Sequence, residues 1–263
     1  MKKIIAMLLA GWLVVCCGCA QVASSADGQQ EEVVYADQEA VEAIGRGLEE
    51  RFDYADAVDE TTGETLAEAT EIEIEKLAPF RSRLFESSKL QERVLAYLNL
   101  LEEAKELTGA MSVNDDAFYD SWNSLYDQRA MALKEFVDSY GLMVDEGHQS
   151  ALDDLLRRGR AVEKSGAENE AVEQLVASLN FEKTSDEDGW FFTYAATGEN
   201  TTELDLENIS LILALYDGDG VKVEETYAST SSWLRGEKVR FEAISEVDAA
   251  EVKVSLDSYS IAD

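Results

Sequence analysis

The hydrophobic period of this chain changes near Phe181, and that change restricts its architecture more than any other feature of the sequence. From about Ala36 to Leu179 apolar residues recur every three or four positions, which lays them along one face of a helix. Beyond Phe181 they alternate, as on a strand with one buried face. The two patterns bury different surfaces. The chain is therefore expected to place a helical part at residues 35–180 and a sheet part at residues 181–263, an α+β arrangement with helices first.

Within the helical part, Leu90, Val94, Tyr97, Leu101 and Ala104 form one stripe, with Lys89, Glu92, Glu103 and Lys105 elsewhere. A second stripe runs through Tyr119, Trp122, Tyr126, Leu133, Val137 and Tyr140, with Asn114 and Asp115 placed to cap its start and Gly141 to close it. Weaker helical patterns occupy residues 41–52, 66–77, 152–162 and 172–179. Each has one apolar face to bury, and an antiparallel helical bundle does this with the fewest elements. The Tyr119, Trp122, Tyr126 and Tyr140 stripe fits bundle core, with hydroxyls at the surface, better than the wall of a ligand cleft.

In the sheet part, residues 190–197 are aromatic-rich, and Ile209, Leu211, Leu213 and Leu215 alternate. Val221 with Val223 and Val239 with Phe241 keep the period of two. Asp217-Gly218-Asp219-Gly220 supplies residues that tolerate positive φ and reads as a hairpin turn. With further strands at 237–244 and 251–256, the pattern suggests a small antiparallel β-sandwich.

The first residues carry a different signal. Lys2 and Lys3 precede an apolar run from Ile4 to Val15, the order of a secretory leader. At about 1.5 Å per residue the run falls well short of the roughly 30 Å of bilayer hydrocarbon. All three cysteines, Cys16, Cys17 and Cys19, stand at its end. Residues 13–20 resemble a bacterial lipobox, in which a small residue, here Gly18, precedes a lipid-modified cysteine, here Cys19. Cys16 stands where that motif usually has a branched aliphatic residue, so Cys17 and Cys16 remain alternatives for the modified position. The expectation is a signal peptide over residues 1–19, a flexible tether over 20–34, and a body held to the membrane through lipidated Cys19, facing outside the cytoplasm. With no cysteine after Cys19, the mature body is expected to fold without an internal disulfide.

Leu213-Ala214-Leu215-Tyr216-Asp217, followed by Gly220, resembles the motif of FxLYD domains, found in exported prokaryotic proteins and lipoproteins. Asn200-Thr201-Thr202 and Gly236-Glu237 extend the likeness over roughly residues 181–263, and Leu213 replaces the family's phenylalanine. The resemblance implies a sandwich of immunoglobulin-like character without catalytic residues. Read physically, Leu213 and Leu215 point inward, Tyr216 points to the opposite face and Asp217 starts the turn.

The remaining sequence constrains chemistry mainly by subtraction. A net charge of -33 disfavours nucleic acid and other polyanions as partners, leaving an envelope protein or a cationic ligand as candidates. His148 is the only histidine, which excludes a two-histidine metal site, and its neighbourhood reads as an exposed helix connection. No Gly-x-Ser-x-Gly, phosphate loop or dinucleotide fingerprint occurs, and no cofactor is expected. The turn at residues 217–220 lacks the later ligands of a calcium loop. Arg157, Arg158 and Arg160 fit intrahelical pairing with Asp153, Asp154 or Glu163. With 55 acidic residues, carboxylate pairs occur at every spacing and identify no site. A non-catalytic surface lipoprotein that binds or scaffolds is the favoured expectation. The alternatives are an envelope hydrolase using carboxylates, which needs a pocket of convergent acids, and a solute-binding lipoprotein of a transporter, which needs a cleft between two lobes.

Overall fold

The computed structural model describes residues 34–111, 116–185 and 190–262. The leader, Cys19, the tether before Val34, and the expected caps Asn114 and Asp115 lie outside the described residues. Among the described residues the helical part comprises α1 (Asp37–Ala57), α2 (Gly63–Leu77), a 3-10 turn (Ala78–Ser82), α3 (Ser88–Thr108), α4 (Asp116–Tyr140) and α5 (Gln149–Ala177). Strands follow: β1 (Glu182–Ser185), β2 (Phe192–Glu199), β3 (Leu206–Tyr216), β4 (Lys222–Trp233), β5 (Lys238–Ser245) and β6 (Glu251–Ile261). The fold is α+β, helices before strands.

Local chemistry sets the helix ends. Thr62 caps α2 by accepting the Thr65 N–H at 3.1 Å, while the Thr65 hydroxyl accepts the Thr62 N–H at 2.8 Å. Pro79, lacking an amide hydrogen to continue the ladder, stands in the 3-10 turn where α2 stops. Ser87 caps α3, and Asp37 at the start of α1 accepts the Glu86 and Ser87 amides, which ties the entry of α3 to α1. Gly141, at φ 71°, ends α4 and lets the Leu142 amide turn back to the Phe136 carbonyl.

Each helix packs on its successor, α1 on α2, α2 on α3, α3 on α4 and α4 on α5. Their shared core contains Ile44, Leu48, Leu77, Val94, Tyr97, Leu98, Leu101, Leu133, Phe136 and Leu152. Two sequence expectations need correction. The buried line of α4 is Phe118, Leu125, Arg129, Leu133 and Phe136; Tyr119 is 43% exposed, and Trp122, Tyr126 and Tyr140 are half-buried. The tyrosine and tryptophan stripe is thus the flank of the packed face. The separate patterns at 152–162 and 172–179 fall on one continuous helix, α5, except for the last two residues, which follow its end at Ala177. Residues 160–171 of α5 bury nothing fully, so the apolar period fades there although the helix continues. Polar pairs one turn apart accompany the exposed stretch, Lys164 with Glu168, Asn169 with Glu173 and Glu170 with Gln174.

The strands form two antiparallel three-stranded sheets, ordered β1-β2-β5 and β4-β3-β6. Their inner faces share one core, in which Ile209, Leu211, Leu213 and Leu215 of β3 meet Tyr194, Trp233 and Phe241. Asn208, at φ 52°, absorbs a register shift between β3 and β6, so that Leu206 and Ile209, three positions apart, are both buried. The core is closed by the last turns of α5 and the residues just after it: Val172, Leu175 and Val176 of α5, and Leu179 beyond its end, are buried among the sheet residues. One helix therefore serves two cores, its first half the bundle and its last turns the sheets.

Candidate functional site

The motif strand lies at the centre of the second sheet. Leu213 and Leu215 are fully buried, and Tyr216 is half-buried on the other face with the Lys253 ammonium 4.5 Å from its ring centre. Asp217 turns the chain: its Oδ1 accepts the amides of Asp219 and Val221, both at 2.9 Å, and Gly220 takes φ 78°. Glu224 and Glu225, farther along β4, already accept from Ser245 and Lys222. At the opposite end of the sandwich, buried Asn200 donates to the Leu204 and Trp233 carbonyls and accepts from Thr202, while its backbone carbonyl holds the Gly236 amide. The polar turn and the glycine-led return are thereby one hydrogen-bonded corner.

His148 is bound more tightly than an exposed loop residue. It precedes α5, its side chain is 19% exposed, and its ring stacks on Phe52 at 6.1 Å. Nδ1 lies 2.7 Å from Asp145 and Nε2 lies 3.0 Å from Asp53 on α1. Hydrogen bonds to these two carboxylates raise its pKa, because both nitrogens must donate when both neighbours are anions. Glu49, Asp145 and His148 bring one ligand atom each within 4.8 Å of one another. The Asp145 amide bound to Glu49 and the two contacts of His148 account for that arrangement without a cation.

The most unusual chemistry is inside the bundle. Glu73 of α2 is 1% exposed, and one of its oxygens accepts from both Arg51 of α1, at 2.6 Å, and Arg129 of α4, at 2.7 Å. The other oxygen accepts the Tyr97 hydroxyl of α3. Burial alone would raise the carboxyl pKa, but the guanidiniums of Arg129 and Arg51 outweigh it and hold the carboxyl below its usual range. Burial and the adjacent carboxylate push the Tyr97 phenol well up, so it stays neutral. Burial, helped by Arg129, pulls Arg51 down even though Glu73 opposes the shift. Three side chains, from α1, α3 and α4, thus converge on one carboxylate of α2, which fixes the relative register of those four helices.

Arg129 Nε is fully enclosed and has no hydrogen-bond partner among the described residues. Beside it, Arg51, Arg129, Leu100, Leu101, Ala104, Trp122, Leu125 and Tyr126 bound a recess with room for about one water-sized body. The outer wall is braced by Arg158 of α5, whose guanidinium lies 4.7 Å from the Tyr126 ring centre and pairs with Asp127. This corrects the expected intrahelical pairing of the arginine cluster for Arg158, whereas Arg157 does pair with Asp154 on its own helix. An open groove of about 320 Å³ also lies between α3 and α4, bordered by Arg93, Tyr97, Met131 and Glu135.

No family model, curated protein or solved structure matches the chain. Sequence reasoning missed Glu73, Arg51 and Arg129. The available signal was charge on an apolar stripe, since Arg129 stands midway between Leu125 and Leu133 at helical spacing, and Glu73 lies beside Ile74 and one turn before Leu77.

Proposed function

We propose that this protein is an exported lipoprotein, held on the outer side of the membrane through Cys19, whose helix-and-sheet body has a non-catalytic binding or scaffolding role. The observation that carries the reading is the leader itself: two lysines, an apolar run too short to span, then Gly18-Cys19, with no cysteine anywhere beyond. A diacylglyceryl cysteine brings two acyl chains, and two chains suffice for stable anchoring where one does not. The buried ionisable groups support a structural reading of the body, because Glu73, Arg51, Arg129 and Tyr97 bond chiefly to one another. Apolar side chains exposed on β4, Val223 and Tyr227, and on β5, Ile244, supply surface on which a partner can dock. The likeness of residues 213–220 to FxLYD domains supports the same reading. The net charge of -33 favours an envelope protein with a basic face, or a cationic ligand, over nucleic acid.

Cys19→Ala tests the anchor. Fractionation of the wild-type chain is expected to leave it with membranes, and mass spectrometry to find a thioether-linked diacylglyceryl group on its first mature residue. The variant is expected in the soluble extracytoplasmic fraction. Retention of Cys19→Ala on the membrane, or an unmodified thiol on an uncleaved chain, would end this reading.

A further inference from the structure

We propose that the groove between α3 and α4 is a docking site for one cationic, amphipathic helix of a partner protein. The inference rests on the binding role proposed above, for which it names a surface and a partner chemistry, and it does not depend on the lipid anchor. The hollow of about 320 Å³ bordered by Arg93 and Glu135 runs into a second, of about 560 Å³, and the two meet at Gln128. Together they follow α3 from Arg93 to Leu107, which at 1.5 Å per residue is about 21 Å, or roughly four turns of a helix laid alongside. The floor is low where Ala96, Ala132 and Ser124 stand, and apolar where Leu100, Met131 and Leu107 line it. Met131 is 43% exposed, and Leu100 and Leu107 are half-buried, so apolar surface in the groove still faces water.

The walls decide the form of the occupant. Both are helices whose backbone groups bond within themselves, so an extended segment in the groove would cover amides that find no acceptor there. A helix satisfies its own backbone and presents a stripe of side chains to the trough. A small solute would stay largely in water, because the groove is open along its length. Charge decides the composition. Arg93 is spent on Glu135 at 2.9 Å, whereas Glu103 and Glu106 on the same lining pair with no cation among the described residues. Two uncompensated carboxylates favour lysine or arginine on the docking helix. A second copy of this chain is the poorer occupant, since each copy carries a net charge of -33.

The test uses the full-length chain held in phosphatidylcholine nanodiscs, with empty discs as the blank. The probe is a fluorescein-labelled peptide of about 14 residues, built from leucine and lysine so that the leucines fall on one helical face. A scrambled isomer keeps the charge and loses the apolar face, and a third peptide carries glutamate in place of lysine. Fluorescence anisotropy is expected to show saturable binding of the first peptide alone. Ala96→Phe raises the floor of the groove and Met131→Gln makes it polar; each should weaken binding about tenfold. Both should unfold at the wild-type midpoint, because the side chains they replace reach solvent. Glu103→Gln combined with Glu106→Gln should weaken binding several-fold and flatten its dependence on salt. An absence of saturable binding, a scrambled isomer that binds as tightly, or unchanged affinity in Ala96→Phe and Met131→Gln would each overturn the proposal. So would a dimer of the detergent-solubilised chain that Ala96→Phe disperses, since a second copy would then fill the groove. None of these results bears on the fractionation of Cys19→Ala, so the groove and the anchor fail separately.

Discussion

Replacing Glu73 by alanine leaves Arg51 and Arg129 facing each other inside the bundle with no carboxylate between them. Removing one member of a buried ion pair typically costs about 3–5 kcal/mol, because the remaining charge keeps its desolvation penalty and loses its compensation. Urea unfolding of Glu73→Ala should show a loss in that range; a loss below about 1 kcal/mol would mean that solvent reaches the cluster. His148 offers a second measurement at a single residue. As the only histidine its ring signals are unambiguous by NMR, and they should titrate above the reference value of about 6.5. A pKa raised by folding contributes stability that is complete below the unfolded value and is lost as pH rises through the folded one. The gap in unfolding midpoint between wild type and His148→Gln should therefore be widest near pH 5 to 6 and close toward alkaline pH. A gap that widened with pH would contradict the two-carboxylate clamp. Neither feature was legible in the sequence, since 55 acidic residues give every cation many candidate partners and only the packing selects among them.

Among the elements, α5 shows why one substitution can act in opposite directions along a single helix. A side-chain carbon added at Gly166 would meet nothing within 4 Å, whereas one at Gly159 would lie 2.6 Å from the Ala130 carbonyl oxygen of α4. Gly166→Ala should stabilise the protein by about 1 kcal/mol through helix propensity alone. Gly159→Ala should destabilise it by about 1–3 kcal/mol, because α4 and α5 must move apart at their closest approach. Both shifts can be read from denaturant midpoints at constant slope, and the same sign for the two variants would refute the packing argument. The contrast also explains what periodicity could reveal. The α3 stripe was readable because its apolar positions are the buried ones, from Leu90 through Leu101. In α4 the charged Arg129 occupies a core position, so the apolar residues alone pointed to a face rotated toward Tyr119 and Trp122. The middle of α5 buries no residue fully and offered no period at all. Among the strands, β3 and β5 were legible from alternation, whereas β4 was marked only by Val221 and Val223, both exposed, β6 was read only as far as Leu256, and β1, whose four residues are all exposed, carries no apolar signal.

At the scale of the whole body, the consequence is that two cores are joined through a helix whose midsection buries no residue fully and is tied to α4 through the pair of Lys134 with Glu163. Leu152, Leu155 and Leu156 belong to the bundle, Val172, Leu175, Val176 and Leu179 belong to the sheets, and residues 160–171 stand between them without full burial. An isolated helical stretch of that length is marginal in water, so fraying it costs little compared with opening either core. The bundle and the sandwich should accordingly unfold as separate units rather than in one step. Leu175→Ala distinguishes the two outcomes. Truncating a buried leucine costs about 2–5 kcal/mol, and this leucine belongs to the sheet core. Native-state hydrogen exchange should report that loss at the amides of β3, while the amides of α3 keep their protection to within about 0.5 kcal/mol. An equal loss at both would mean that the midsection of α5 transmits the perturbation, and that the two cores form one cooperative unit despite the exposed helix between them. Lys164, with a side chain 78% exposed, gives the same question a chemical readout. If the midsection frays on its own, trypsin should cut there under native conditions and leave the final turns of α5 attached to the sheets, because the sheet core remains incomplete without Leu175 and Leu179.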